Sequence, residues 1–159
     1  MRLPGNPIAD KIGEGKPENQ NHAMIFTRGT ALQTVDMNQD GYFEEALKMR
    51  NMLQEFKCDR DEARPVAIVG FPEHQFSAQY SAAAGFAALE EFTFASLSQR
   101  TMAGIFDVRM HYGHPDLHHR LRAASRGSVS KSSKTLCVSE DMYGGINACL
   151  RGGRIVYRE

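Results

Sequence analysis

Long apolar runs are missing from the 159 residues: none approaches the roughly 18 apolar residues that a membrane helix requires. The opening segment MRLPGNPIAD likewise lacks the apolar stretch of a secretion signal. The chain as written is therefore expected to be soluble and not exported. Cysteine is scarce, with Cys58, Cys137 and Cys149 forming an odd set that contains no CxxC pair. That argues against a disulfide framework and against a cysteine-based zinc site, and it suits a reducing compartment. Neither sign of charge is in excess, because 19 Lys+Arg face 19 Asp+Glu. No whole-molecule attraction for nucleic acid or anionic lipid follows, and nucleic acid is not an expected partner. What is present, a 42% hydrophobic and 24% charged composition, suits one ordinary globular domain or a piece of one.

Residues 1–22 are rich in glycine, proline and uncharged amides, so they read as a structured or ligand-facing loop rather than a regular element. Two short apolar runs, 23–28 and 30–35, separated by Gly29, suggest paired strands. Asp40 stands where an N-cap belongs, and Phe43, Leu47, Leu53 and Phe56 recur near a helical period up to Lys57. The unbroken apolar run 66–70 suits a buried strand. Residues 77–102, with Leu89, Phe92 and Leu97 on one helical face, predict one broken helix or two, interrupted at Gly85. Residues 105–111 read as a strand. Pro115 and Asp116 suit the first turn of a helix holding Leu117 and Leu121. The remainder reads as strand 135–138, helix 143–150 and strand 154–157. Alternating strands and helices predict an α/β fold with a mixed sheet and flanking helices, whose ligands gather at strand carboxyl ends.

Several clusters carry chemistry, and each has an ordinary structural alternative. Asp36 to Gly41 copies the start of an EF-hand loop, but Leu47 stands where the loop needs a bidentate Glu, so a strand-to-helix turn is favoured. Asp36, not needed as the cap, is then the candidate functional carboxylate. Gly13-Glu14-Gly15-Lys16 sets an ammonium group beside flexible backbone without P-loop spacing. The following Asn19, Gln20, Asn21 and His22 form an unusually dense amide cluster. His111, His114, His118 and His119 crowd one stretch without an HExxH-type spacing, so a structural role is favoured over zinc. Arg126 to Lys134 joins a glycine turn, small hydroxyls and cations, as a diphosphate cradle or a basic surface loop would. Glu140 and Asp141 could act as a base, a metal ligand or a helix cap.

Taken together, these blocks resemble the catalytic region of the 1,3-β-glucan synthases, the callose synthases of plants and their fungal counterparts. The resemblance is carried by Arg2-Leu3-Pro4-Gly5, Gly13 to His22, Asp36 to Asp40, Glu44 to Arg50, His111 to Asp116, Ser130-Lys131 and Glu140-Asp141, in family order along the chain. It departs from the family at Ser128, where a glycine is usual, and at Gly144, where a bulkier small residue is common. It implies that residues 1–159 form a single partial domain, a central slice of a GT-A-like glycosyltransferase region. It also implies inverting transfer of glucose from UDP-glucose to the 3-hydroxyl of a β-1,3-glucan acceptor. By this analogy Asp141 is the base, with Glu140 second, and Glu91 orients the sugar. Lys16 and Lys131 neutralise the diphosphate. Asp36 binds the uridine-sugar portion or a metal, for which Mg is the candidate divalent cation, no cofactor being otherwise required. Asn19, Asn21, His22 and Arg126 complete the expected substrate-binding set. Partners expected by resemblance are the rest of a membrane-embedded synthase and its regulatory subunits, at the cytosolic face of the plasma membrane. A non-catalytic fragment that binds without turnover is the competing reading.

Overall fold

The computed structural model describes residues 16–35, 43–57, 63–72, 79–106, 116–126, 129 and 140–158. The first described element is helix α1, Lys16–Ala23, which falls inside the stretch expected to be a loop. Pro17 does not break it because it lies in the first turn, where a missing N–H is no loss. Glu18 in that turn and His22 in the last complement the helix dipole. A 3₁₀ turn, Met24–Phe26, then replaces the first expected strand. Strand β1, Ala31–Thr34, matches the second run, but its partner is distant in sequence rather than the preceding segment. Helix α2, Phe43–Glu55, follows as its periodicity requires, while Asp40 lies outside the described residues.

Strand β2, Val66–Gly70, is buried along its whole length, as its continuous apolar run predicts. Helix α3, Ala82–Phe92, starts at an N-cap where the Ser81 hydroxyl accepts from the Ala84 N–H at 3.0 Å. Gly85 does not interrupt it, since its N–H donates to the Ser81 carbonyl at 2.8 Å. The irregularity comes later, in a π-segment over Thr93–Ser98 that leads directly into α4, Gln99–Phe106. At its first residue and just beyond its end, the Thr93 and Thr101 hydroxyls donate to the Leu89 and Leu97 carbonyls, the back-bonding that loosens helices. The wider turn rotates the side-chain pattern. Within and beyond it the buried residues are Ser96, Gln99 and Ala103, while Leu97 is exposed, as is Leu89 upstream. Because α4 runs to Phe106, the strand expected from 105 does not begin there.

Residues 116–119 form strand β3 rather than a helical first turn, and helix α5, Arg120–Arg126, starts only afterwards. Tertiary pairing overrides the local helix signal, because β3 is held between two other strands. Helix α6, Glu140–Leu150, begins three residues before the expected helix and runs through Gly144 and Gly145, and strand β4, Arg154–Tyr157, ends the sheet as expected. Between them Gly152 takes a left-handed φ of 75°. Its N–H donates to the Cys149 carbonyl and that of Gly153 to the Ala148 carbonyl, closing α6 with a Schellman motif. A side chain at Gly153 would lie 2.7 Å from the Ala67 Cβ and 2.8 Å from the Ala148 carbonyl oxygen, so glycine is what lets this turn meet the sheet.

The four strands are ordered β1-β3-β2-β4. β3 is antiparallel to β1 and β2, and β4 is parallel to β2, with a register shift between Val66 and Ile68. The fold is thus α/β with a mixed sheet and flanking helices. One sheet face gathers Val66, Val69, Leu117 and Val156 against Met49, Met52, Leu53 and Phe56 of the α2 region. The other packs Ala67, Ile68 and Ile155 against Ala148 and Cys149 of α6. Fully burying a side chain such as Leu117 is worth about 1.5–3 kcal/mol. The expected strand 135–138 lies outside the described residues.

Candidate functional site

The topology brings the carboxyl ends of β1, β2 and β4 to one end of the sheet, together with the start of β3. In register across that end stand Thr34, Asp116, Gly70 and Tyr157. Asp116 is completely buried there, and His118, two residues along the same strand, is almost so. A buried carboxylate is costly unless compensated, which makes Asp116 a candidate that its reading as a helix-start residue missed. The signal was available: Asp116 closes the His111 to Asp116 block, and the alternation of Asp116 and His118 with Leu117 and His119 has the period of a strand.

Residues from distant parts of the chain meet at the β1 edge. The Val129 N–H donates to Asn21 Oδ1 at 3.1 Å, joining α1 to the segment that follows α5. Met24 and Val129 are buried together, with Leu32 of β1 and Ala123 of α5 packed against them. The Thr27 hydroxyl donates to the Met24 carbonyl at 2.7 Å and accepts from Arg120 Nε at 3.1 Å. The Arg120 N–H donates to the Thr30 carbonyl at 3.0 Å, so the turn after α1 is fastened to the junction of β3 and α5. His22 is half-buried and meets Phe26 edge to face, with ring centroids 5.6 Å apart. Lys16 and Asn19 are exposed on α1.

This arrangement unites part of the expected substrate-binding set. Lys16, Asn19, Asn21 and His22 share one short helix, and Asn21 bonds to Val129, two residues before Lys131. Lys131 and Asp36 themselves lie outside the described residues; Asp36 follows the last residue of β1 by two positions. Arg126 ends α5. Glu140 and Asp141 open α6 and are helical. Glu91 sits half-buried in the last turn of α3 and is not among the residues that the Asn21–Val129 cluster brings together. His118 and His119 project from opposite faces of β3. The His119 ring meets Phe56 at 5.6 Å, and its Nδ1 accepts from the Arg122 N–H at 3.3 Å, so these two neighbours do not converge on one ion. Among the described residues no group of three or more His, Cys, Asp or Glu could hold a metal. Nor, among them, is any helix long and apolar enough to cross a membrane.

The family described as 1,3-beta-glucan synthase component matches residues 1–159. Callose synthase 9 of Arabidopsis thaliana is 52% identical over 160 residues, covering all of this chain and 8% of the relative. Callose synthase 12 of the same plant is 53% identical over 159 residues, again covering all of this chain and 9% of the relative. The chain belongs to the 1,3-beta-glucan synthase component family, and it spans about a twelfth of the length of these relatives.

Proposed function

From that membership, we propose that the chain is the donor-binding slice of a synthase that transfers glucose from UDP-glucose to the 3-hydroxyl of a β-1,3-glucan, with inversion. The observation that carries the reading is the match of the whole chain to callose synthases at about half identity. The Asn21–Val129 bond supports it, because it draws the amide helix toward the segment that continues to Lys131. The mixed sheet with helices on both faces supports membership in a GT-A-like domain. Such a region works at the cytosolic face of the plasma membrane, with the rest of the synthase and its regulatory subunits as partners.

Inverting transfer needs a base for the acceptor proton and donors or cations for the leaving diphosphate. In this proposal Asp141, in the first turn of α6, takes the proton of the acceptor 3-hydroxyl as its oxygen attacks the anomeric carbon. The bond to the UDP oxygen breaks on the opposite side. Glu140 is the second choice for the base, and Glu91 orients the sugar. Lys16 and Lys131 stabilise the departing diphosphate; Asn19, Asn21, His22 and Arg126 surround it, and Asp36 holds the uridine-sugar portion or a divalent cation such as Mg.

To test this, the sequence is placed in the corresponding region of a full-length callose synthase and glucan formation from UDP-glucose is measured. Asp141→Asn is expected to lower turnover by about 10²–10⁴-fold. Near-normal turnover would overturn the base assignment. A second reading, binding without turnover, is favoured by the small share of each relative that the chain covers. It predicts that the sequence, placed in the full-length synthase, binds UDP-glucose but supports no glucan formation.

A further inference from the structure

The helical stretch from Ala82 to Phe106 turns one side to the chain and leaves the other bare. Ser96, Gln99 and Ala103 are buried, with α4 lying against β4. None of the α3 residues is buried, and Phe86, Leu89, Leu97 and Ile105 are between 46% and 71% exposed. Leu89, Thr93, Leu97, Thr101 and Ile105 recur every fourth residue, the spacing of a ridge on a helix surface, and all of them are exposed. The two threonines do not interrupt its apolar character. Each donates its hydroxyl to the carbonyl four residues back, at 2.8 and 3.1 Å, so covering the ridge leaves neither donor unmet. From Phe86 to Ile105 the ridge is about 28 Å long.

Large and small side chains alternate along it. When a second copy is laid on the first in the reverse direction, centred at the level of residue 95, Leu89 falls opposite Thr101, Leu97 opposite Thr93 and Phe86 opposite Gly104. At Gly104 there is room for a partner, since a Cβ added there would meet nothing within 4 Å. A surface that fits its own reversed copy is what a two-fold interface requires, because each contact of i with j is repeated as j with i. With Phe94 and Phe106, the exposed apolar side chains offer on the order of 700 Å² per copy, against roughly 800 Å² a side in a standard interface. Helices that lie on membranes are rich in Lys and Arg, whereas residues 82–106 carry Glu90 and Glu91 against Arg100 alone, so a protein surface suits this ridge better than a lipid one. We propose that the exposed ridge of α3, the π-segment and α4 is a self-association surface, on which a second copy of this chain packs antiparallel about a two-fold axis near residue 95. None of the ridge residues belongs to the donor-site reading, and the proposal does not rest on it.

The test follows the molar mass of the 159-residue chain by sedimentation over a series of concentrations. The expected result is a monomer–dimer equilibrium whose dissociation constant rises by about tenfold or more in Leu97→Glu and in Gly104→Asp, because each sets an unpaired carboxylate in an apolar contact. Should Leu97→Glu unfold, Gly104→Asp, whose side chain enters open space, decides the matter. Orientation is read by mixing chains that carry Thr93→Cys with chains that carry Leu97→Cys, oxidising, and mapping the bridged peptides. Bridges from 93 to 97 should outnumber those between like positions. A majority of 93–93 and 97–97 bridges would overturn the antiparallel pairing. A chain that stays monomeric at every concentration, or a dimer unchanged in both carboxylate variants, would overturn the surface itself. For a monomer, flotation with phosphatidylcholine vesicles that Leu97→Glu abolishes would give the ridge to a lipid surface. Maleimide labelling of Leu97→Cys that is lost only when the sequence sits in a full-length callose synthase would give it to another part of that polypeptide.

Discussion

The two edges of the sheet are built in opposite ways. At the β1 edge, polar side chains turn inward to bind backbone: Asn21 accepts from Val129, Thr27 bridges Met24 and Arg120, and Met24 and Val129 are buried beneath them. At the β4 edge, α4 lies against the strand and Arg158 is held by the Glu55 carboxylate at 2.8 Å. The first edge fixes distant segments relative to one another, since Asn21 and Val129 are 108 positions apart in the chain. The second ties the end of β4 to α2, through Arg158 and Glu55 at 2.8 Å. A site that must position a reacting group needs the first kind of construction, because orientation is what catalysis draws on.

The comparison can be broken at either edge. The largest effect is expected from Gly153→Ala, whose new Cβ meets both Ala67 and the carbonyl of Ala148. Overpacking of this kind costs about 1–3 kcal/mol, to be read as a lower urea midpoint. It should disturb the β4 edge and leave resonances at Asn21 and Val129 in place; equal disturbance at both edges would show that they are not independent. Asn21→Ala removes the acceptor of the Val129 N–H and should cost about 0.5–1.5 kcal/mol. Faster amide exchange at Val129, with β4 unaffected, is the expected signature, and unchanged protection at Val129 would remove the proposed link to the Lys131 segment.

The smallest effect belongs to Arg158→Gln. The side-chain bond to Glu55 and its charge raise the Arg158 pKa above the ordinary arginine value, against a smaller opposing effect of burial. A group whose pKa is raised on folding contributes its stability below the unfolded value and loses it only as pH climbs through the folded one. The contribution of the arginine should therefore stay constant from about pH 6 to about pH 9. The pair is partly exposed, so the substitution should cost no more than about 1 kcal/mol. A larger loss, or one that varies across that range, would mean that Arg158 holds β4 in place by more than this pair.

Strands β2 and β4 were legible in the sequence because their short apolar runs match the sheet that they form, and helices α2 and α6 were legible in position, although Phe43, Leu47 and Leu150 are exposed and only part of each apolar face meets the sheet. Residues 16–23 were not, because proline and amides read as breakers unless the proline is known to lie in a first turn. β3 was hidden for a different reason: Pro115-Asp116 is a good local helix start, and only pairing with β1 and β2 makes the following residues a strand. Past Thr93 the π-segment adds a residue that no fixed period anticipates, while before it α3 buries none of its residues, Leu89 included. For the site, the motif blocks pointed to the amides of α1, and the structure supplied their bond to Val129. The buried Asp116 was overlooked because Pro115-Asp116 reads locally as a helix start, although its alternation with His118 has the period of a strand, and the packing at the β4 edge escaped because edge position is a tertiary fact.

The central claim is that the β1 edge holds the diphosphate of a nucleotide sugar. Calorimetry of UDP-glucose binding to the 159-residue chain tests it most directly. The account predicts saturable binding that weakens by about tenfold or more in Lys16→Ala and in Lys131→Ala, and stays unchanged in Gly104→Asp. Affinity unchanged in both lysine variants would contradict it.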